Sequence, residues 1–281
     1  MPSHALTRFV DVKGVATRCQ MAGDPAAPAL LLVHGLSLTS DIWAHNIDEL
    51  AADFHVVGVD LLGHGFTRPR DGQPADIEAK IEHLEDLIEA LELDDVSLSA
   101  SSYGALVASH VVLNKRRTIR RLIINGSGSA FNTEEQLSAF MERIHASYRP
   151  ALAQSSSQMW RDRMAAGTVL DAGCIPCELL ATLPLCYAQP WAIACWEETV
   201  AAMRDPQRFR PFRILDRLEE IDVPTLVVWG RDDKGGIYES AQAAVARMPD
   251  AELVAFERCA HLPMMEHPQR YDALVRRFLS S

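Results

Sequence analysis

Two kinds of hydrophobic pattern alternate along this chain. Short, nearly continuous apolar runs at Ala29 to Gly35, His55 to Asp60, Arg120 to Gly126 and Pro224 to Gly230 suit strands covered on both faces. Between them lie stretches with helical spacing. In the clearest, Ile77, Ile81, Leu84, Leu87, Ile88 and Leu91 share one face while Glu78, Glu82, Glu85, Glu89 and Glu92 line the rest, which predicts a helix covering a sheet. A further helix is predicted over Ile42 to Ala52. Val96, Leu98 and Ala100 alternate with Ser97, Ser99 and Ser101, as in a short strand with one buried face, and the apolar ALVASHVVL that follows suits a buried helix. Arg8 to Val12 and Val15 to Met21, separated by Lys13-Gly14, read as a hairpin. Strand and helix in strict alternation imply a parallel sheet with helices on both faces.

That alternation stops near Gly126 and resumes near Pro211. The intervening residues read as helices with no clear strand, the first opened by a capping box at Thr133 and Gln136. They hold most of the bulky aromatics outside the sheet, among them Trp160, Trp191 and Trp196. The expected organisation is an α/β core of residues 1–126 and 212–281, with residues 127–211 inserted as a helical cap over the strand ends. Trp160 and Trp191 are candidates to line a substrate site beneath it, although each would more commonly belong to the cap's own core. The arginines of this region, Arg149, Arg161, Arg163 and Arg204 among them, read as mostly solvated, with room for one to meet an acidic group. The sheet resumes at Pro224 to Gly230, a helix is expected over Tyr238 to Met248, Ala251 to Phe256 is a final strand, and a helix over Pro268 to Leu279 closes the domain.

The chemistry sits where strands end. Ser102 falls on a sharp turn between the alternating strand and the buried helix, with small residues two before it (Ala100) and two after (Gly104). Such a turn can hold its backbone in an unfavourable conformation that aims the hydroxyl outward. After His34-Gly35 the chain must also turn sharply, so that the N–H of Leu36 can join that of Tyr103 in binding a developing oxyanion. Each such donor contributes on the order of 3 kcal/mol in a transition state. His34, and His64 between two glycines, read as backbone-shaping histidines. Asp233 lies in the loop after Gly230, and His261 in the loop after Phe256.

Charge and cysteine content narrow the partners. A formal net charge of −11 argues against nucleic acid and anionic membrane, and favours a small-molecule substrate. No run approaches the roughly 18 apolar residues of a membrane helix, and the start carries no apolar stretch of signal-peptide type, so a cytoplasmic protein is expected. A homodimer stays open. Four of the six cysteines, Cys174, Cys177, Cys186 and Cys195, crowd one segment. The CIPC spacing of Cys174 and Cys177 is half of a zinc site without its second half, so small buried thiols are the simpler reading. No metal or organic cofactor is expected.

The order Ser102, Asp233, His261, each just after the carboxyl end of a strand, together with the HG turn, the DLLGHG loop, the WGRDD loop and the CAH loop, resembles the α/β-hydrolase fold across nearly the whole chain. The resemblance implies that Ser102 attacks a carbonyl, that His261 takes and returns its proton, and that Asp233, rather than Asp232, orients the imidazole. Where relatives usually have a glycine two residues before the nucleophile, Ala100 stands here. Carboxylic ester hydrolysis is the first expectation. The alternative is C–C bond hydrolysis of the meta-cleavage-product type, which CAHLPMMEH at Cys259 to His267 resembles. That subgroup usually carries an asparagine before the nucleophile and a tryptophan after the histidine, where Ser101 and Leu262 stand, and Leu262 is the third candidate to touch substrate. A ligand receptor, lyase or transferase on the same fold is a further alternative.

Overall fold

The computed structural model describes residues 4–280. Eight strands form one sheet: β1 (Leu6–Val12), β2 (Val15–Ala22), β3 (Ala29–Val33), β4 (His55–Val59), β5 (Val96–Ser101), β6 (Ile119–Asn125), β7 (Thr225–Gly230) and β8 (Ala251–Phe256), in the order β1-β2-β4-β3-β5-β6-β7-β8. The pairs β1–β2 and β2–β4 are antiparallel, and from β4 to β8 every pairing is parallel. The first two strands meet at Lys13 and Gly14, both at positive φ, as a tight hairpin whose twist matches its strands requires.

The continuous apolar runs became the central strands because both of their faces are covered. Leu30, Leu31, Leu32 and Val33 are all fully buried, as are Leu226, Val227, Val228 and Trp229. The expectation of one buried face on β5 fails, since all six of its residues are buried. Ser99 is satisfied by side chains rather than by solvent: its hydroxyl lies 2.7 Å from the Tyr271 hydroxyl and accepts from the Asn125 amide at 3.2 Å. The helix predicted over Ile42 to Ala52 is also broken, into a 3₁₀ turn at Ser40–Trp43 and a short helix at Ile47–Leu50. Asn46 stands between the two, and its buried amide donates to the Met264 carbonyl and to Asp272 instead of facing solvent from a helix.

Between β6 and β7 the described residues form α and 3₁₀ helices joined by turns and loops, with no strand, the longest helices being Glu134–Leu152, Ser157–Gly167, Cys177–Tyr187 and Pro190–Arg204. The capping box at Thr133 and Gln136 forms as the sequence predicts, and the helix it opens runs past His145 to Leu152. Aromatic rings fill this segment: Trp160 packs on Tyr148 and Tyr187. The Trp196 indole donates to Ser37 Oγ at 2.7 Å, tying the insertion to the loop after His34-Gly35.

Strand β5 ends at the turn the sequence marks. Ser102 has φ 53° and ψ −120°, a strained conformation for a residue with a side chain, of the kind that costs on the order of 1–3 kcal/mol. The surrounding structure imposes it: the Ser102 N–H donates to the Asn125 carbonyl at 2.8 Å, and the helix Tyr103–Asn114 leaves at once behind the sheet. Gly104 permits the close passage. A methyl there would stand 2.2 Å from the His34 carbonyl oxygen, a backbone atom that cannot turn aside. Gly104→Ala is therefore expected to destabilise the fold by about 3 kcal/mol, as overpacking against a rigid neighbour does, and to lower activity further by shifting Ser102. Denaturant unfolding checks this; an unchanged midpoint would mean that the elbow relaxes freely.

Candidate active site

A cavity of about 520 Å³ lies between the sheet's carboxyl edge and the helical insertion, and Ser102, His261, Gly35 and Leu36 line it from below. All are placed by the ends of strands. Ser102 follows β5, Gly35 and Leu36 follow β3, and His261 follows β8, while β7 delivers Asp233.

His261 Nδ1 donates to Asp233 Oδ2 at 2.8 Å, and the Asp233 side chain is fully buried. The other carboxylate oxygen accepts the Gly235 N–H at 2.7 Å, so the backbone two residues after the acid holds it in place. Asp232 is exposed. Burial opposes the imidazolium, yet the Asp233 charge and hydrogen bond outweigh it and raise the His261 pKa above the ordinary 6.5, with a smaller push from Glu266. A carboxylate on Nδ1 leaves Nε2 as the nitrogen free to exchange a proton with a hydroxyl.

The loop carrying His261 is fixed from both sides. Glu266 accepts the Ala260 N–H at 2.8 Å and, from the insertion, the Leu170 N–H at 2.8 Å. The His261 N–H itself donates to the Thr168 carbonyl at 3.0 Å. Chain from the insertion thus holds the histidine's own backbone. Ser127 and Ser129, which the sequence shows only as part of a GSGS loop, both donate to the Ser102 carbonyl, at 2.7 and 3.3 Å. Nothing in the local pattern marks them, because the contact depends on β6 ending beside β5.

The two glycine-adjacent histidines shape loops, as their setting predicts. His34 is fully buried; its Nδ1 donates to the Gly35 carbonyl at 2.7 Å and its Nε2 accepts the Leu61 N–H at 3.0 Å. Burial lowers its pKa, which keeps the ring neutral. His64 is buried as well, with Nδ1 on the Leu62 carbonyl. Among the described residues the backbone N–H groups of Leu36 and Tyr103 have no acceptor within the chain.

The cavity roof differs from the expected one. Trp160 is fully buried and its indole donates to Ser155, Leu262 is fully buried, and Trp191 is half-buried against the insertion's core; none of the three lines the cavity. Large aromatics at helical spacing turned to the insertion's own core, where they bury the most apolar surface. The wall comes instead from Phe140, Ile144, Tyr148 and Met164, with Arg143 and Arg163 among them. Cys174 is half-buried and Cys177 exposed, both free thiols, and the described residues hold no group of three or more side chains suited to a metal ion. No helix among them is long and apolar enough to cross a membrane.

A family model described as the alpha/beta hydrolase family matches residues 30–274. The chain belongs to that family. Among curated relatives it is 27% identical to a 2-hydroxy-6-oxononadienedioate/2-hydroxy-6-oxononatrienedioate hydrolase of Paraburkholderia xenovorans, over 98% of this chain and 95% of that one. It is 26% identical to a 2-hydroxy-6-oxo-2,4-heptadienoate hydrolase of Pseudomonas putida, over 98% and 96%. The solved structure of a 2-hydroxy-6-oxo-6-phenylhexa-2,4-dienoate hydrolase from Rhodococcus superposes with a TM-score of 0.84 at 20% identity, covering 99% of this chain and all of that one, a likeness of fold.

Proposed function

We propose that this α/β-hydrolase cleaves a C–C bond next to a ketone in a 2-hydroxy-6-oxo-dienoate-type substrate, with Ser102 as nucleophile, His261 as proton carrier and Asp233 as its orienting acid. The observation carrying this reading is the similarity, over nearly the full length, to curated relatives named for that substrate class. It reverses the order of the two readings from sequence, where ester hydrolysis came first.

Ser102 Oγ adds to the ketone as His261 Nε2 takes its proton, and the oxyanion settles against the Leu36 and Tyr103 N–H groups. Once the dienol has ketonised, its 2-hydroxyl proton having moved to C5, collapse breaks the C5–C6 bond and the electron pair left on C5 delocalises through the C3=C4 double bond onto the 2-oxo oxygen as a dienolate. His261 returns the proton, and water then hydrolyses the acyl-enzyme by the same relay. The buried Asp233–His261 pair keeps Nε2 correctly protonated through both halves.

Ester hydrolysis is the second reading, and two positions favour it. Ser101 and Leu262 replace the asparagine and tryptophan of the resembled C–C hydrolases. Ser101 Oγ is buried without a hydrogen-bond partner among the described residues, and Leu262 is sealed from the cavity. Stopped-flow turnover of a 2-hydroxy-6-oxo-dienoate beside a short-chain p-nitrophenyl ester separates the readings. The proposal expects kcat/KM for the dienoate to exceed that for the ester by about 100-fold or more, since only the correct substrate realises the full transition-state stabilisation. Efficient ester cleavage with the dienoate untouched would overturn it.

A further inference from the structure

The cavity's charge is opposite to that of the chain. The protein carries a formal net charge of −11, yet Arg143, Arg163 and Lys234 line the Ser102 cavity and no aspartate or glutamate does. None of the three forms an ion pair among the described residues, whereas Arg149 and Arg204 of the same insertion, which do not line this cavity, pair with Glu197 and Glu142.

The cations are arranged around one part of the roof. On the helix Glu134–Leu152 the cavity-facing positions are Phe140, Arg143, Ile144, Ser147 and Tyr148, spaced by three and four as one helix face must be. The Arg163 guanidinium lies on the Tyr148 ring, 3.9 Å from its centroid, and its Nη2 donates to Ser147 Oγ at 2.8 Å. Stacking and that one hydrogen bond fix its plane while using one donor of five. Gly167 is one turn further along the same helix as Arg163, and the Lys234 stem passes 4.0 Å from where a side chain on Gly167 would start. The Lys234 stem therefore crosses from the sheet side to the helix that carries Arg163.

We infer that Arg163, supported by Arg143 and Lys234, is a specificity-determining anion subsite that holds a carboxylate of the substrate against the helical roof while the apolar wall holds its carbon chain. The inference rests on the reading of the Ser102 cavity as the substrate site. A half-buried guanidinium fixed by an aromatic face, its Nε buried, offers its remaining Nη donors to a carboxylate, and the two exposed cations raise the local anion concentration. The subsite selects acids over neutral compounds of the same shape, whichever bond is cleaved.

The test is calorimetric titration of Ser102→Ala protein with 5-phenylpentanoate and with 5-phenylpentanamide, which match in shape and differ in charge. The carboxylate should bind about 10-fold or more tightly than the amide, as a hydrogen-bonded charge pair implies. Arg163→Gln on that background should abolish the difference while leaving amide affinity unchanged. Raising salt on the protein with Arg163 intact should weaken the carboxylate selectively, a readout that does not depend on how the variant folds. Equal affinities, binding of neither compound, or an Arg163→Gln effect that is the same for both would each overturn the inference. No turnover is involved. A protein that shows this charge selectivity and leaves the dienoate intact refutes C–C hydrolysis and keeps the subsite; one that cleaves the dienoate without it does the reverse.

Discussion

Ser102→Ala is expected to lower kcat by about 10⁴-fold or more with the fold retained, because the step it removes, covalent capture of the carbonyl, has no substitute in the cavity. Of the hydroxyls close to it, those of Ser127 and Ser129 donate to the Ser102 carbonyl, and Ser37 Oγ accepts from Trp196. Alanine at a position with φ 53° is as strained as serine, so stability should change little, and any residual rate would come from binding and the oxyanion donors alone. Steady-state kinetics beside circular dichroism checks both halves. Activity within 10-fold of the wild type would remove Ser102 from the chemistry.

Asp233→Asn should reduce kcat by about 10⁴-fold, whereas Asp232→Asn should stay within a few-fold. The buried amide would still fill the space but could present its NH₂ to His261 Nδ1, which favours the tautomer with the proton on the wrong nitrogen. The pH profile gives a second signature. His261 must be neutral to accept the serine proton, and the Asp233 charge raises its pKa above 6.5, so the wild-type rate should fall as pH drops through a value on the alkaline side of 6.5. Without that charge, burial, the largest influence, is opposed only by the smaller push from Glu266 and disfavours imidazolium. The acid limb of the variant's residual activity should therefore move to lower pH. A limb that stays in place, or an Asp232→Asn variant damaged as severely, would reassign the acid.

Much of this site could be read from the sequence because its parts sit at strand ends that buried apolar runs make conspicuous. The runs ending at Gly35 and Gly230 are too apolar for anything but central strands, and each delivers its loop to the same edge of a parallel sheet. The serine at 102 is marked by the small residues around it, and the structure gives the reason at Gly104, where the first turn of the helix nearly touches the His34 carbonyl at the end of β3. What stayed hidden depends on partners distant in the chain. Ser99 of β5 looks solvent-facing until Tyr271 and Asn125 are brought onto it. Asn46 interrupts a helical pattern because residues more than 200 positions away need its amide. Periodicity identifies Trp160 and Trp191 as helix residues without saying whether a face turns to the insertion's core or to the cavity. The cavity took the mixed face of Phe140, Arg143 and Ser147, which a hydrophobic pattern would assign to solvent.

Labelling with a fluorophosphonate tests the central claim most directly, since it needs an activated serine but no knowledge of the substrate. The account predicts one adduct per chain on the peptide carrying Ser102, with loss of hydrolysis in proportion and no adduct in Ser102→Ala or His261→Ala. An unlabelled wild-type protein, or an adduct on another residue that silences the enzyme, would contradict it.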